Sequence, residues 1–461
     1  MEKKQNEQGK PHCLVLSFPL QGHINPMFQF SKRLRHTGIP KITLVTTKFF
    51  LKSVQNFPDA CFKVETISDG FDDGGMEAVK PEEAYSRCSE YGSRTLAELV
   101  EKLRSSGSPA DCVIYDPFYP WVFDVAEKFG LMTAVFFTQP NSVNCIYFNA
   151  YTKELKLPVM EDRIRIPGGF PVMDRSDLPS FIQDHESDPT RSEIMMEQFR
   201  NVQRVDWVFV NTFHQLEQEV TDWLSKFMDM RPIGPTIPSM FLDKRIPDDS
   251  QYGLSIFTPI TDTCFEWLDN QPIGSVVYVS FGSFARPTVE QMEELALALK
   301  SLDWPFLWVV RASEESKLPK NYEEEIRDKG LVVAWCPQLQ VLKHEAVGCF
   351  VTHCGWNSTL EALSLGVPLV AMPQWTDQYT NAKFVEDVWR MGIRAKTDDK
   401  KLVGRAEIVN CVNHVMGSET GREMRSNSTK WKELAREAVE EAGSSDQNIQ
   451  EFVSALKLKF C

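Results

Sequence analysis

Residues Trp335–Gln378 read WCPQLQVLKHEAVGCFVTHCGWNSTLEALSLGVPLVAMPQWTDQ, and this stretch decides the fold. An apolar run, Gly348–Thr352, gives way to His353, Cys354 and Gly355. A helical pattern then covers Thr359–Leu365 and stops at Gly366, and a second apolar run, Pro368–Ala371, follows. Continuous apolar strands separated by a helix indicate a parallel sheet covered on both faces. A strand end feeding a helix N-terminus is also a ready anion site, because free backbone N–H groups and the positive dipole end converge there. His353, Asn357 and Ser358 add side-chain donors at the same spot, a set suited to a diphosphate.

The alternation extends upstream. Strands are expected at Ser275–Phe281, Phe306–Val310 and Leu331–Ala334, with a helix over Thr288–Leu299 opened by a Thr288/Gln291 capping box. The N-terminal half repeats the pattern on its own. Leu14–Phe18 is a strand, Asn25 caps a helix over Pro26–His36, Gly38 stops it, and Ile42–Thr46 is the next strand. Cys112–Tyr115, Ala134–Phe137 and Val205–Val210 continue the series. The aperiodic stretch GPTIPSMFLDKRIPDDSQYGLSIF separates the halves. The expected architecture is therefore α/β, with two Rossmann-like domains whose parallel sheets face each other across an interdomain cleft. Residues 1–240 form the first domain, 241–257 a linker and 258–445 the second domain, and a final helix in 446–461 packs back on the first.

The chain has 461 residues, a net charge of −14 and a pI near 5.2, a balance that argues against nucleic acid or an anionic membrane as the main partner. No apolar run approaches the roughly 18 residues of a membrane span, and the polar start MEKKQNEQGKPH has no signal-peptide core. The 11 cysteines are scattered without a CxxC pair, which fits reduced thiols in a cytoplasmic protein. Cys349, His353 and Cys354 match no zinc spacing. A monomer is expected.

Other residues at strand ends complete a nucleotide-sugar set. Trp335 and Gln338 can stack on and hydrogen-bond a base, Glu361 can accept from ribose hydroxyls, and Asp377 and Gln378 can hold a sugar. Each has a plainer reading alone: Glu361 as a capping-box partner of Ser358, Trp335 as core. Their co-location at the carboxyl ends of neighbouring strands favours the ligand. The first strand ends differently, in PLQGHINP, with one glycine where a dinucleotide turn has three. That leaves His23 available as a general base, and Asp116 in VIYDPFYPW as its orienting partner.

The whole block from Trp335 to Gln378 resembles the signature box of plant UDP-dependent glycosyltransferases, family 1, of the GT-B fold. QGHINP, VIYDPFYPW and WLDNQPIGSVVYVSFGS fall in the order of that family. The linker segment is similar to a subgroup that glucosylates small acids, thiohydroximates, triterpenoids and steroids. The resemblance implies that Trp335 stacks on uracil, with the Cys336 backbone at its edge. It implies ribose contacts from Gln338 and Glu361, diphosphate contacts from Ser283, His353, Asn357 and Ser358, and sugar contacts from Trp356, Asp377 and Gln378. Gln378 favours UDP-glucose, and His23 and Asp116 take the places of the family's catalytic pair.

The implied reaction is inverting O-glucosylation of a small lipophilic acceptor, with a steroid or triterpenoid favoured and a phenolic or flavonoid as alternatives. No Asp-x-Asp motif is present to carry a metal, so neither metal nor other cofactor is expected beyond UDP-glucose as co-substrate. Leu20, Gly22, Phe118, Trp121, Thr138, Asn141, Met195 and Phe199 are the candidate acceptor residues. Rival readings are glucose-ester formation on a carboxylic acid, a nicotinamide-dependent dehydrogenase, a GT-B epimerase, and a non-catalytic sugar-nucleotide or steroid-binding protein.

Overall fold

Strand β1, His12–Leu16, is the sequence HCLVL with every residue buried, which requires cover on both faces. In the computed structural model, which describes residues 10–54, 62–75, 79–253 and 260–460, it lies in the middle of a seven-stranded parallel sheet. The other strands of this sheet are β2 (Lys41–Thr47), β3 (Lys63–Ile67), β4 (Cys112–Tyr115), β5 (Met132–Phe137), β8 (Trp207–Val210) and β9 (Met230–Pro232). Their order is β3-β2-β1-β4-β5-β8-β9. A small antiparallel pair, β6 (Arg163–Ile164) and β7 (Met173–Asp174), stands apart. The second parallel sheet has the order β12-β11-β10-β13-β14-β15. It is built from β10 (Val276–Ser280), β11 (Phe306–Val309), β12 (Gly330–Val333), β13 (Val347–Thr352), β14 (Leu369–Ala371) and β15 (Gly392–Arg394).

The chain divides into two units, one of Met1–Arg175, Phe181–Ile256 and Glu437–Cys461, the other of Ser176–Ser180 and Phe257–Arg436. In the first unit the core gathers Val15, Phe30, Phe136 and Phe209 with Ile449 and Phe452 of the helix Ser444–Phe460. The Phe209 and Phe452 rings meet edge-on at 5.2 Å. In the second unit the helices Val289–Ser301 and Arg405–Gly417 cover one face through Leu295, Leu299, Ile408 and Val412.

Several local expectations change. The first helix runs Gln21–Thr37, so Asn25 and Pro26 lie inside it and Leu20 is its N-cap. The Leu20 carbonyl accepts from both His23 and Ile24 N–H at 2.9 Å, which closes the first turn without a side-chain cap. His23 therefore sits in the first helical turn rather than at the end of the strand. Thr288 caps the helix Val289–Ser301 through the Gln291 N–H, but the Gln291 side chain bonds the Val403 backbone instead of completing a capping box. Residues 1–9 of the polar start and 254–257 of the expected linker lie outside the described residues. The described part of the linker is tied down by ion pairs: Asp249 to Lys32 at 2.7 Å, Asp243 to Arg33 at 2.9 Å and Arg245 to Asp446 at 2.8 Å. No helix of the described residues is long and apolar enough to cross a membrane.

Candidate functional site

In each sheet the strand order reverses once, between β1 and β4 in the first and between β10 and β13 in the second. At such a switch point the connections leave in opposite directions and open a crevice beyond the carboxyl ends of the strands. Asp116 immediately follows β4, and His23 lies in the helix after β1. Ser283 follows β10, and His353 immediately follows β13. The sequence-derived candidates thus stand where an open α/β sheet binds ligands.

At the first switch point, Asp116 is fully buried and its backbone N–H extends the ladder to the Leu16 carbonyl. One carboxylate oxygen accepts the Phe118 N–H at 3.0 Å, and the other lies 2.7 Å from His23 Nδ1. The Thr138 hydroxyl, just after β5, is 3.2 Å from the same Nδ1. With a buried carboxylate on Nδ1, the tautomer that places its hydrogen there leaves Nε2 as the acceptor. Nε2 has no hydrogen-bond partner among the described residues. Phe118 at 5.0 Å and Phe18 at 5.5 Å flank the imidazole, so the ring is held by apolar walls, the Asp116 carboxylate and the Thr138 hydroxyl.

The candidate acceptor residues divide. Leu20 and Gly22 are exposed, and Phe118 and Met195 are half-buried. Thr138 is turned to His23. Trp121, Asn141 and Phe199 are buried. Trp121 lies against Tyr119 at 5.3 Å, Phe199 stacks on Phe137 at 5.4 Å, and the Asn141 amide donates to Thr221 Oγ1 at 2.9 Å. The backbone N–H groups of Asn141 and Ser142 donate to the buried Glu217 carboxyl, whose pKa is raised by burial.

At the second switch point, His353 is confined by backbone. A Cβ on Gly355 would stand 2.6 Å from its Nε2, and one on Gly282, where φ is +70°, 2.9 Å from its Cε1. Only glycine at both positions leaves room for the ring. Burial, with the nearby Arg311 charge, lowers the His353 pKa to about 4, so the ring is neutral at pH 7. The Thr352 hydroxyl lies 3.3 Å from Nδ1, which suits an Nε2–H donor.

The helix Trp356–Leu365 follows, with Gly355 as N-cap. On its first turns Ser358 and Glu361 both accept from Gln338 Nε2, at 3.0 and 2.7 Å, while Gln338 Oε1 accepts from the Tyr278 hydroxyl at 3.1 Å. Glu361 is therefore not a capping-box residue; it forms a polar cluster with the adjacent strand end. Cys336 contributes a buried thiol 3.4 Å from the Tyr278 oxygen, and Trp335 above it is half-buried. Trp356 is buried against Trp389, with ring centroids at 5.9 Å. Asp377 accepts from Thr376 Oγ1 and Asn381 Nδ2, both at 2.6 Å. Gln378 turns its carbonyl oxygen to the N–H groups of Gln374 and Trp375, and among the described residues its amide NH₂ has no acceptor. Among the described residues no group of three or more His, Cys, Asp or Glu side chains could hold a metal, and the nine cysteines there are free thiols.

Two functional positions escaped the sequence reading. Arg311, two residues after β11, donates to the carbonyls of Ser283 and Ala285 and fixes the loop after β10. A charge at a parallel-strand end was the available signal. Tyr278 carries a hydroxyl into an otherwise apolar strand, and a buried hydroxyl needs a partner; Gln338 supplies it.

The neutral His353 has a consequence for stability. An unfolded histidine titrates near 6.5 and the folded one near 4, so between these values the unfolded state binds the extra proton. Stability is fully present above 6.5 and is lost as pH falls toward 4. Urea unfolding of wild type and His353→Gln across this window is expected to show the wild-type slope steeper, by up to about 1.4 kcal/mol per pH unit.

Comparison with known proteins identifies the family and the fold. A family model for "UDP-glucoronosyl and UDP-glucosyl transferase" matches residues 258–428. Mogroside I-E synthase of Siraitia grosvenorii is 46% identical over 454 residues, covering 98% of this chain and 99% of that protein. Flavonol 7-O-beta-glucosyltransferase UGT74F1 of Arabidopsis thaliana is 44% identical over 459 residues, covering 98% and 100%. The solved structure of Os79 from O. sativa in complex with UDP matches with a TM-score of 0.91 at 40% identity, covering 96% of this chain and 100% of that one.

Proposed function

The chain belongs to the UDP-glucuronosyl and UDP-glucosyl transferase family and is a UDP-dependent glycosyltransferase of GT-B fold, and from that premise we propose that it transfers glucose from UDP-glucose to a hydroxyl of a small lipophilic acceptor with inversion. The base of this reaction is His23. Its Nε2 takes the acceptor hydroxyl proton as the oxygen attacks C1 of the glucose, and the bond from C1 to the diphosphate oxygen breaks with its electron pair leaving on UDP. Asp116 holds the ring tautomer and stabilises the imidazolium that forms. An α-linked donor then yields a β-glucoside, and no covalent enzyme intermediate is needed.

The observation that carries this reading is the contact of 2.7 Å between His23 Nδ1 and the buried Asp116, with Nε2 left without a partner among the described residues. Neutral His353, Ser283, Asn357, Ser358 and the start of the helix Trp356–Leu365 meet the diphosphate charge as protein donors, so we propose catalysis without a metal. Gln338 and Glu361 take the ribose, Trp335 and the Cys336 backbone the uracil, and Trp356, Asp377 and Gln378 the glucose. The apolar surroundings of His23 suit a lipophilic acceptor. The name of mogroside synthase favours the triterpenoid class, and that of the flavonol glucosyltransferase keeps flavonoids as the next choice.

The test offers UDP-glucose to a panel of triterpenoid, steroid, flavonoid and phenolic-acid acceptors in the presence of a chelator. A product heavier than one acceptor by a hexosyl group, together with acceptor-dependent UDP release, is expected. Absence of acceptor-dependent UDP release across the panel overturns the proposal.

A further inference from the structure

Thr376 lies between Trp375 and Asp377 with φ of +53°, the left-handed region. A β-branched residue there is strained and persists only where neighbours over-determine it. The neighbour is the segment Ser176–Ser180, which belongs to the second unit although the chain on either side of it belongs to the first. Ser180 makes a reciprocal pair with Thr376: its Oγ accepts the Thr376 N–H at 2.8 Å and its own N–H donates to the Thr376 carbonyl at 2.9 Å. Asp177 anchors the segment through its carbonyl to Thr380 Oγ1 at 2.7 Å and its carboxylate to Arg394 at 2.5 Å.

The strained residue is coupled directly to the sugar-contact candidates. Thr376 Oγ1 donates to Asp377 Oδ1 at 2.6 Å, which leaves Asp377 aimed by Thr376 on one oxygen and by Asn381 on the other. The next residue, Gln378, folds its carbonyl oxygen back onto this same loop. The N–H groups of Gln374 and Trp375 bond Gln378 Oε1 and that of Gln378 bonds the Trp375 carbonyl, whereas the Thr376 N–H is held by Ser180 from outside the loop.

We propose that Ser180 is a positioning residue for the hexose of the nucleotide sugar, acting through Thr376 to aim Asp377 and Gln378. It touches no substrate. Its removal takes away the side-chain bond on the Thr376 N–H and so loosens the residue that fixes Asp377 Oδ1, although Asn381 still holds the other oxygen; the uracil, ribose and diphosphate contacts on other strand ends are untouched. The inference rests on the UDP-glucose reading above.

Titration calorimetry of wild type, Ser180→Ala and Ser180→Thr with UDP-glucose and with UDP separates the sugar from the nucleotide. Ser180→Ala is expected to weaken UDP-glucose about fivefold and UDP less than about twofold, and Ser180→Thr, which keeps the hydroxyl oxygen, to restore the wild-type value. UDP binding serves as the control for folding. Equal weakening of both ligands, no weakening of either, or failure of the threonine variant to restore binding overturns the assignment. A wild-type protein that binds UDP but not UDP-glucose overturns the donor reading itself, and is recognised before any variant is compared.

Discussion

His23→Ala is expected to lower kcat on a hydroxyl acceptor by about 10²–10⁴-fold, the usual worth of a positioned general base, with KM for UDP-glucose little changed. The hydroxyl loses its proton during attack, and Nε2 is the acceptor that the Asp116 contact leaves available. A carboxylic acid acceptor is already ionised at pH 7 and needs no base. On such an acceptor the same variant is expected to lose less than about tenfold, and the contrast between the two acceptors is the measurement. Equal, mild losses on both remove His23 from the base role. Equal, severe losses assign it to binding or to the shape of the site. The ring is only 18% exposed and lies against Phe18 and Phe118, so the alanine variant also opens space. His23→Gln fills part of that space without supplying a base, and is expected to be as inactive as alanine on the hydroxyl.

Gly355→Ala is expected to weaken UDP binding by about 10–100-fold, comparable to losing a hydrogen bond to a charged group. The new methyl would sit 2.6 Å from His353 Nε2, the atom proposed to donate to the diphosphate. Gly282 also lies close to the ring, since a Cβ there would stand 2.9 Å from its Cε1, so room for the ring to move is small. The imidazole must turn, or the start of the helix Trp356–Leu365 must shift, and either change spoils the anion site. Gly417→Ala is the control, since nothing lies within 4 Å of its added carbon. UDP affinity by calorimetry is expected to be unaltered there. Unaltered affinity in Gly355→Ala as well would mean that the diphosphate is held elsewhere.

The strands that carry chemistry were the legible ones. β1, β4, β10 and β13 are buried almost throughout, so their sequences are unbroken apolar runs with polar residues at the carboxyl end. Three of the four edge strands were not legible, whereas β12, an edge of the second sheet, was expected at Leu331–Ala334. β3 is KVETI and only its last residue is buried; β9 is the three-residue MRP and β15 the three-residue GIR. Such strands exist because a neighbour offers a ladder, which no local pattern records. The same limit applied to the helix Gln21–Thr37. Its sequence offers Asn25 and Pro26 as a start, yet the first turn already closes on the Leu20 carbonyl, soon after β1 ends. At the site, residue types and strand ends brought out His23, Asp116, His353, Gln338 and Glu361. The Ser180–Thr376 pair was invisible, since it joins residues 196 positions apart and depends on a backbone angle.

The helix Ser444–Phe460 places Ile449 and Phe452 in the same core as Val15 and Phe30, and Ser445 Oγ donates to the Gly234 carbonyl at 2.6 Å. A ribosome makes the chain from the other end. The first sheet is complete once β9 has emerged, yet the apolar patch that this helix covers stays open until about two hundred further residues have been added, at a synthesis rate of roughly 5–20 residues per second. The newborn first unit therefore waits on the order of ten seconds or more with that apolar surface uncovered, an interval in which sticking to other chains competes with completion of the fold.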